Sequence, residues 1–99
     1  MNQRLEGKAA VITGGGAGIG AAVGRLFCTE GAGVMLADAD ADALTQKVEQ
    51  IRQQVVGARA TSFVTDVADA AQALQAVERA LDEFGRLDVM VNNAAMHFA

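Results

Sequence analysis

Residues 9–20 read AAVITGGGAGIG, a run of five residues without charge followed by five glycines within seven positions and no lysine. An apolar run that short, stopped by glycine, is the pattern of a strand buried on both faces. From Gly18 the pattern becomes helical: Ile19, Val23, Leu26 and Phe27 share one side, and Gly31 supplies the C-terminal stop of a helix over residues 18–30. The stretch therefore predicts a strand, a glycine turn and the start of a helix. At such a start several backbone N–H groups lack partners and the helix dipole leaves partial positive charge, so an anion belongs there. Glycine lets the turn reach positive φ, and its missing Cβ lets a pyrophosphate approach the main chain closely. Packing of the helix against the first strand is the role that suits Gly20.

The rest of the chain repeats the unit. Val34–Ala37 forms a second apolar strand ending at Asp38, and Asp40 caps a helix whose Leu44, Val48, Ile51 and Val55 recur at helical spacing, closing near Gly57. Thr61–Thr65 reads as a third strand ending at Asp66. A third helix runs from about Asp69 with the stripe Leu74, Val77, Leu81 and Phe84, and Gly85 precedes a fourth strand over Leu87–Asn92. The rhythm β-α-β-α-β-α-β predicts an α/β fold with an open parallel sheet and crossover helices. With right-handed crossovers, strands one to three step in one direction and strand four returns beside strand one. The predicted strand order is 3-2-1-4, one half of a doubly wound, Rossmann-type fold. The reversal opens a crevice at the carboxyl ends of strands one and four, where ligands bind in sheets of this type.

Composition narrows the function classes. A chain of 99 residues with 52% apolar residues and no low-complexity tract is one small globular domain. Its net charge of −4 gives nucleic acid and anionic membrane no electrostatic reason to approach. Cys28 is the only cysteine, which leaves no disulfide and no cysteine metal cluster; it reads as a small core residue in a reducing compartment. The opening MNQRLEGKAAVIT lacks the long apolar run and cleavage site of a signal peptide, and no stretch reaches membrane-spanning length. A soluble cytoplasmic protein is expected.

Several nucleotide binders use glycine loops. A Walker-type loop needs Gly-Lys-Ser/Thr, but Gly20 is followed by Ala21 and Ala22. The dinucleotide fingerprint G-x-G-x-x-G/A is matched formally by GAGIGA at residues 16–21, while methyltransferases that use S-adenosylmethionine also pair a glycine loop with an acid after strand two. Asp38 stands eighteen residues after Gly20, near the spacing of about 20 expected for the acid that bonds the adenosine ribose hydroxyls. Because Asp40 is the better helix cap, Asp38 is assigned to the ribose. A carboxylate there repels a 2′-phosphate, and neither the loop nor the ADAD stretch at 37–40 offers a basic residue, so NAD is favoured over NADP.

With TGGGAGIG at 13–20, an acid closing strand two, TDV at 65–67 and VNNAA at 91–95, the chain resembles the short-chain dehydrogenase/reductase family from about Leu5 onward. That family's glycine motif, T-G-x-x-x-G-x-G, is matched by Thr13, Gly14, Gly18 and Gly20. The resemblance implies a Rossmann-type fold and hydride transfer between a nicotinamide cofactor and an alcohol or carbonyl group. Its implied cofactor contacts are Gly14, Gly16, Gly18, Ile19 and Gly20 in the loop, Asp38 at the ribose, Asp66 at the adenine amino group with the main chain of Val67 beside it, and the backbone of Asn93 at the ribose. Ala17, where NADP-preferring relatives often carry a basic residue, agrees with NAD. Two positions depart from the pattern: Ala95 stands where relatives have glycine, and Ala68 where a hydroxyl-bearing cap is common. The bland roles for the acids and asparagines are a cap of the third helix for Asp66 and termination of strand four for Asn92 and Asn93.

Members of the family move the accompanying proton with a serine, a tyrosine and a lysine four residues after it, the ammonium lowering the tyrosine's pKa. This sequence has no tyrosine, and Lys8, Lys47 and Ser62 lie in or beside regular elements elsewhere. His97, the only histidine, has no partner acid and is assigned no catalytic role. The expectation is that residues 1–99 are the NAD-binding half of a longer, homo-oligomeric dehydrogenase acting on a small molecule, with strand four as an unpaired edge. On sequence alone, a stand-alone nucleotide-binding module, a truncated gene product and a methyltransferase fragment stay open.

Overall fold

The strand β1 (Ala9–Thr13) is buried at all of its positions, as a charge-free run must be when strands flank it and helices cover both its faces. In the computed structural model, which describes residues 3–16, 18–66 and 69–92, β1 lies between β2 (Gly33–Asp38) and β4 (Val89–Asn92), with β3 (Arg59–Val64) beyond β2. The sheet order is β3-β2-β1-β4 and every pairing is parallel, the order expected from right-handed crossovers. Ile12 faces Leu36 on one side and Val91 on the other, so the registers align the carboxyl ends of β1, β2 and β4.

Among the described residues, three helices close the two faces. On one, α1 (Gly18–Thr29) and α2 (Ala41–Gln54) cover a core of Ile12, Val34, Leu36, Leu44, Val48 and Ile51. On the other, α3 (Ala70–Phe84) packs Ala76 and Ala80 onto Val11, Met35 and Ala37. The Asp40 carboxylate accepts from the N–H of Ala43 and starts α2; Asp69 accepts from Ala71 and Gln72 and starts α3. Gly85, at φ 77°, ends α3 in the left-handed conformation that glycine adopts without strain.

The expected stripe on α2 is the one buried, with Val55 partly so. On the other two helices the structure corrects the stripe. Ile19 and Leu26 of α1 are 73% and 56% exposed, and the buried row is Gly20, Ala21, Gly24 and Cys28, flanked by Val23 and Phe27. Leu74 and Leu81 of α3 are 56% and 45% exposed, and Ala76 and Ala80 are the residues against the sheet. The cause is distance: a helix lying close on a sheet admits only small side chains beneath its axis, and larger apolar groups move to its flanks. A Cβ added at Gly24 would sit 2.9 Å from Leu36 Cδ2, which measures how near α1 comes. Strand bounds shift too: β3 spans Arg59–Val64 rather than 61–65 because Arg59 already pairs with Gly33, and β4 starts at Val89 rather than Leu87.

The start of β4 is fixed by Asp88. Its N–H donates to the Ala9 carbonyl and its carboxylate accepts from the Ala9 N–H, both at 2.9 Å, while Arg86 donates to both carboxylate oxygens at 2.7 and 2.6 Å. The Arg86 bonds first, and the Ala9 N–H next, hold the Asp88 carboxyl below the usual carboxylate range. Among the described residues no helix is long and apolar enough to cross a membrane.

Candidate functional site

The glycines of the β1–α1 turn divide the work among them. Gly14 takes φ 66°, the left-handed conformation that turns the chain off the end of β1. Gly15 packs against β2: a Cβ there would lie 2.5 Å from Leu36 Cβ and 2.9 Å from Leu36 Cα, and its N–H donates to the Ala37 carbonyl at 3.1 Å. Gly16 leads to the first acid, its N–H donating to Asp38 Oδ2 at 3.0 Å, and a Cβ there would crowd that oxygen and Ala43 Cβ, both at 3.0 Å. Gly18 opens α1 and differs from Gly15 and Gly16, since a Cβ on it would meet nothing within 4 Å. Room beside the main chain at a helix start is the shape an anion needs, so the residues present fit the phosphate group of a nucleotide.

Ile19 stands exposed beside that space, and Gly20 is buried under α1. Sequence reasoning gave the packing role to Gly20, which is buried in α1; close approaches also occur at Gly15 and Gly24, neither of which it named. The readable signal for Gly24 was the four-residue repeat Gly20, Gly24, Cys28.

The structure brings both expected acids to this end of the sheet. Asp38 closes β2 with its carboxylate held by two backbone donors, Gly16 on Oδ2 and Asp40 on Oδ1 at 3.2 Å, while Asp40 serves as the cap of α2. Asp66 follows β3 and is exposed; α3 is capped by Asp69, not by Asp66. The two strand exits are tied together by the Thr65 N–H, which donates to the Asp38 carbonyl at 2.9 Å. Gln72, which sequence reasoning passed over, reaches back from α3, its Oε1 accepting from the Asp66 N–H at 2.8 Å and from the Thr65 hydroxyl at 3.1 Å. Across the crevice the buried Thr13 hydroxyl lies 3.0 Å from Asn92 Oδ1 and 3.3 Å from the Val91 carbonyl, joining the exits of β1 and β4. Val67 and Asn93 among the expected contacts lie outside the described residues, as do Ala17, Ala68, Ala95 and His97.

Cys28 is buried in the core under α1, and burial pushes its thiol up to about 11 against the opposing pull of Arg59, which leaves it a packing residue.

A family model described as short chain dehydrogenase matches residues 8–99. The chain is 44% identical over 92 residues to an uncharacterized oxidoreductase of Thermotoga maritima, covering 93% of this chain and 35% of that protein. It is 39% identical over 93 residues to the 7alpha-hydroxysteroid dehydrogenase of Escherichia coli K12, covering 94% of this chain and 36% of the relative. The crystal structure of a short chain dehydrogenase/reductase from Burkholderia phymatum in complex with NAD superposes with a TM-score of 0.81 at 36% identity, over 88% of this chain and 30% of that one. The chain thus spans about a third of the length of these proteins.

Proposed function

This chain belongs to the short chain dehydrogenase family, and from that premise we propose that it forms the NAD-binding part of an oxidoreductase moving hydride between nicotinamide and an alcohol or carbonyl group. Membership leaves no room for the methyltransferase reading that a glycine loop and a following acid allow by themselves. The observation that carries the proposal is the Asp38 carboxylate, held at the exit of β2 by the N–H groups of Gly16 and Asp40, in a chain whose Gly18 leaves open space at the start of α1.

In this reading the main chain at Gly14, Gly16, Gly18, Ile19 and Gly20 holds the diphosphate, favoured by the positive end of the α1 dipole. Asp38 accepts from the ribose hydroxyls, and the two amides that grip its carboxylate keep it from turning away. Asp66 takes the adenine amino group with the main chain of Val67 beside it, and the backbone of Asn93 adds a ribose contact. The exposed Ile19 side chain offers an apolar surface to the bound dinucleotide. The nicotinamide ring supplies the hydride chemistry when bound; the chain's own residues bind and orient.

A 2′-phosphate placed about 4 Å from Asp38 meets a repulsion of about 1 kcal/mol per charge pair in water and about 4 kcal/mol at a protein surface. The chain offers no basic residue at 13–20 or 37–40 to offset it, which supports NAD over NADP. The proton-transferring base and the substrate pocket are assigned to a further part of the parent protein, because these 99 residues contain no tyrosine. That parent is proposed to be a cytoplasmic homo-oligomer acting on a small alcohol or carbonyl compound.

Titration with NADH and NADPH, followed by ligand fluorescence, tests the assignment. NADH binds more tightly to the wild type, and Asp38→Ala narrows the ratio by about tenfold, the equivalent of 1.4 kcal/mol. Tighter NADPH binding by the wild type, or a ratio unchanged in the variant, defeats it.

A further inference from the structure

Asp69, Ala70, Ala71 and Gln72 have the spacing of a capping box, in which the glutamine at the third helical position accepts from the N–H of its own cap residue. The structure shows a different arrangement. The Asp69 N–H donates to the Asp66 carbonyl at 3.1 Å, and Gln72 Oε1 passes its own cap to accept from the Asp66 N–H at 2.8 Å. Both main-chain groups of Asp66 are therefore held from the start of α3.

We propose that Gln72 is a positioning residue for the adenine end of the dinucleotide site, acting through Asp66. The proposal rests on the assignment of Asp66 to the adenine amino group. With the peptide groups on both sides of Asp66 tethered, the direction of its Cα–Cβ bond is set, and with it the region its carboxylate reaches. The same amide oxygen takes the hydroxyl of Thr65, whose N–H donates to the carbonyl of Asp38, whose carboxylate in turn accepts from Gly16. One line of hydrogen bonds thus runs from the phosphate-binding turn through the ribose acid to the adenine acid, and Gln72 is its anchor on α3. Thr65, which is buried, also has the main-chain carbonyl of Gln72 at 3.5 Å, a group that survives any substitution of the side chain. Loss of the amide therefore falls mainly on the Asp66 N–H.

The test measures the dissociation constants of the 99-residue chain for NAD and for nicotinamide hypoxanthine dinucleotide, which carries a carbonyl where NAD carries the adenine amino group. Wild type favours NAD by about tenfold, the low end for a hydrogen bond to a charged group. Gln72→Leu lowers that ratio to about threefold or less while circular dichroism stays native, and Gln72→Glu, which keeps the acceptor oxygen, keeps the ratio. Adding Gln72→Leu to Asp66→Ala changes the ratio no further. If the leucine variant does not fold, Gln72→Asn, one methylene too short, reads the same ratio. A leucine variant that keeps the tenfold preference, or weakens both dinucleotides equally, overturns the proposal with the Asp66 assignment intact. A wild-type ratio near one removes that assignment and the role of Gln72 with it.

Discussion

Replacing Gly15 by alanine tests whether the glycine turn is held against β2 by contact as close as the structure shows. The new methyl would lie 2.5 Å from Leu36 Cβ and 2.9 Å from Leu36 Cα, where carbon atoms rest at about 3.5 Å or more. Leu36 cannot yield: it is fully buried and sits in register between Ile12 and Ser62 in the middle of the sheet. The turn must retreat by about 1 Å, judged against that ordinary contact distance, and two bonds stretch with it, Gly15 N–H to the Ala37 carbonyl and Gly16 N–H to Asp38. Overpacking costs about 1–3 kcal/mol and each weakened hydrogen bond about 1 kcal/mol more, while the stiffer unfolded chain returns about 0.5 kcal/mol. The net loss is about 2.5–4.5 kcal/mol, a fall in Tm of about 10–35 °C for a domain of this size. Gly18→Ala is the control. Its methyl meets nothing within 4 Å and lies in a helix, so Tm holds or rises, yet under the proposed placement of the diphosphate at Gly18 NADH binding weakens. Thermal unfolding and NADH titration of both variants decide the matter. A Gly15→Ala protein as stable as wild type, or a Gly18→Ala protein destabilised as much as Gly15→Ala, refutes the division of roles.

Two other consequences are open to measurement. Asp88 titrates lower in the folded chain than in the unfolded one, so its clamp on Ala9 stabilises fully above about pH 4 and is lost as pH falls through the folded value; urea unfolding of Asp88→Asn should depend less on pH in that acid range, and matching acid limbs would count against the clamp. With its thiol pushed up to about 11 and buried, Cys28 should react with iodoacetamide at pH 8 far more slowly in the native protein than in urea, and equal rates would remove it from the core.

Much of this molecule is written locally. The charge-free run at β1, the cap Asp40, the stop at Gly85 and the handedness of crossovers suffice for the element order and for the sheet order β3-β2-β1-β4. They also suffice to bring the glycine turn, Asp38 and Asp66 to one end of the sheet, because each follows a strand and parallel strands end together. What no local pattern carries is distance. Hydrophobicity marks residues that leave water but not how near two elements come, so Leu26, Leu74 and Leu81 were expected inside, where the sheet admits Gly24, Ala76 and Ala80. Gly15 against Leu36 and Gln72 reaching Asp66 are likewise contacts between elements, fixed only when the helices and strands have taken their places.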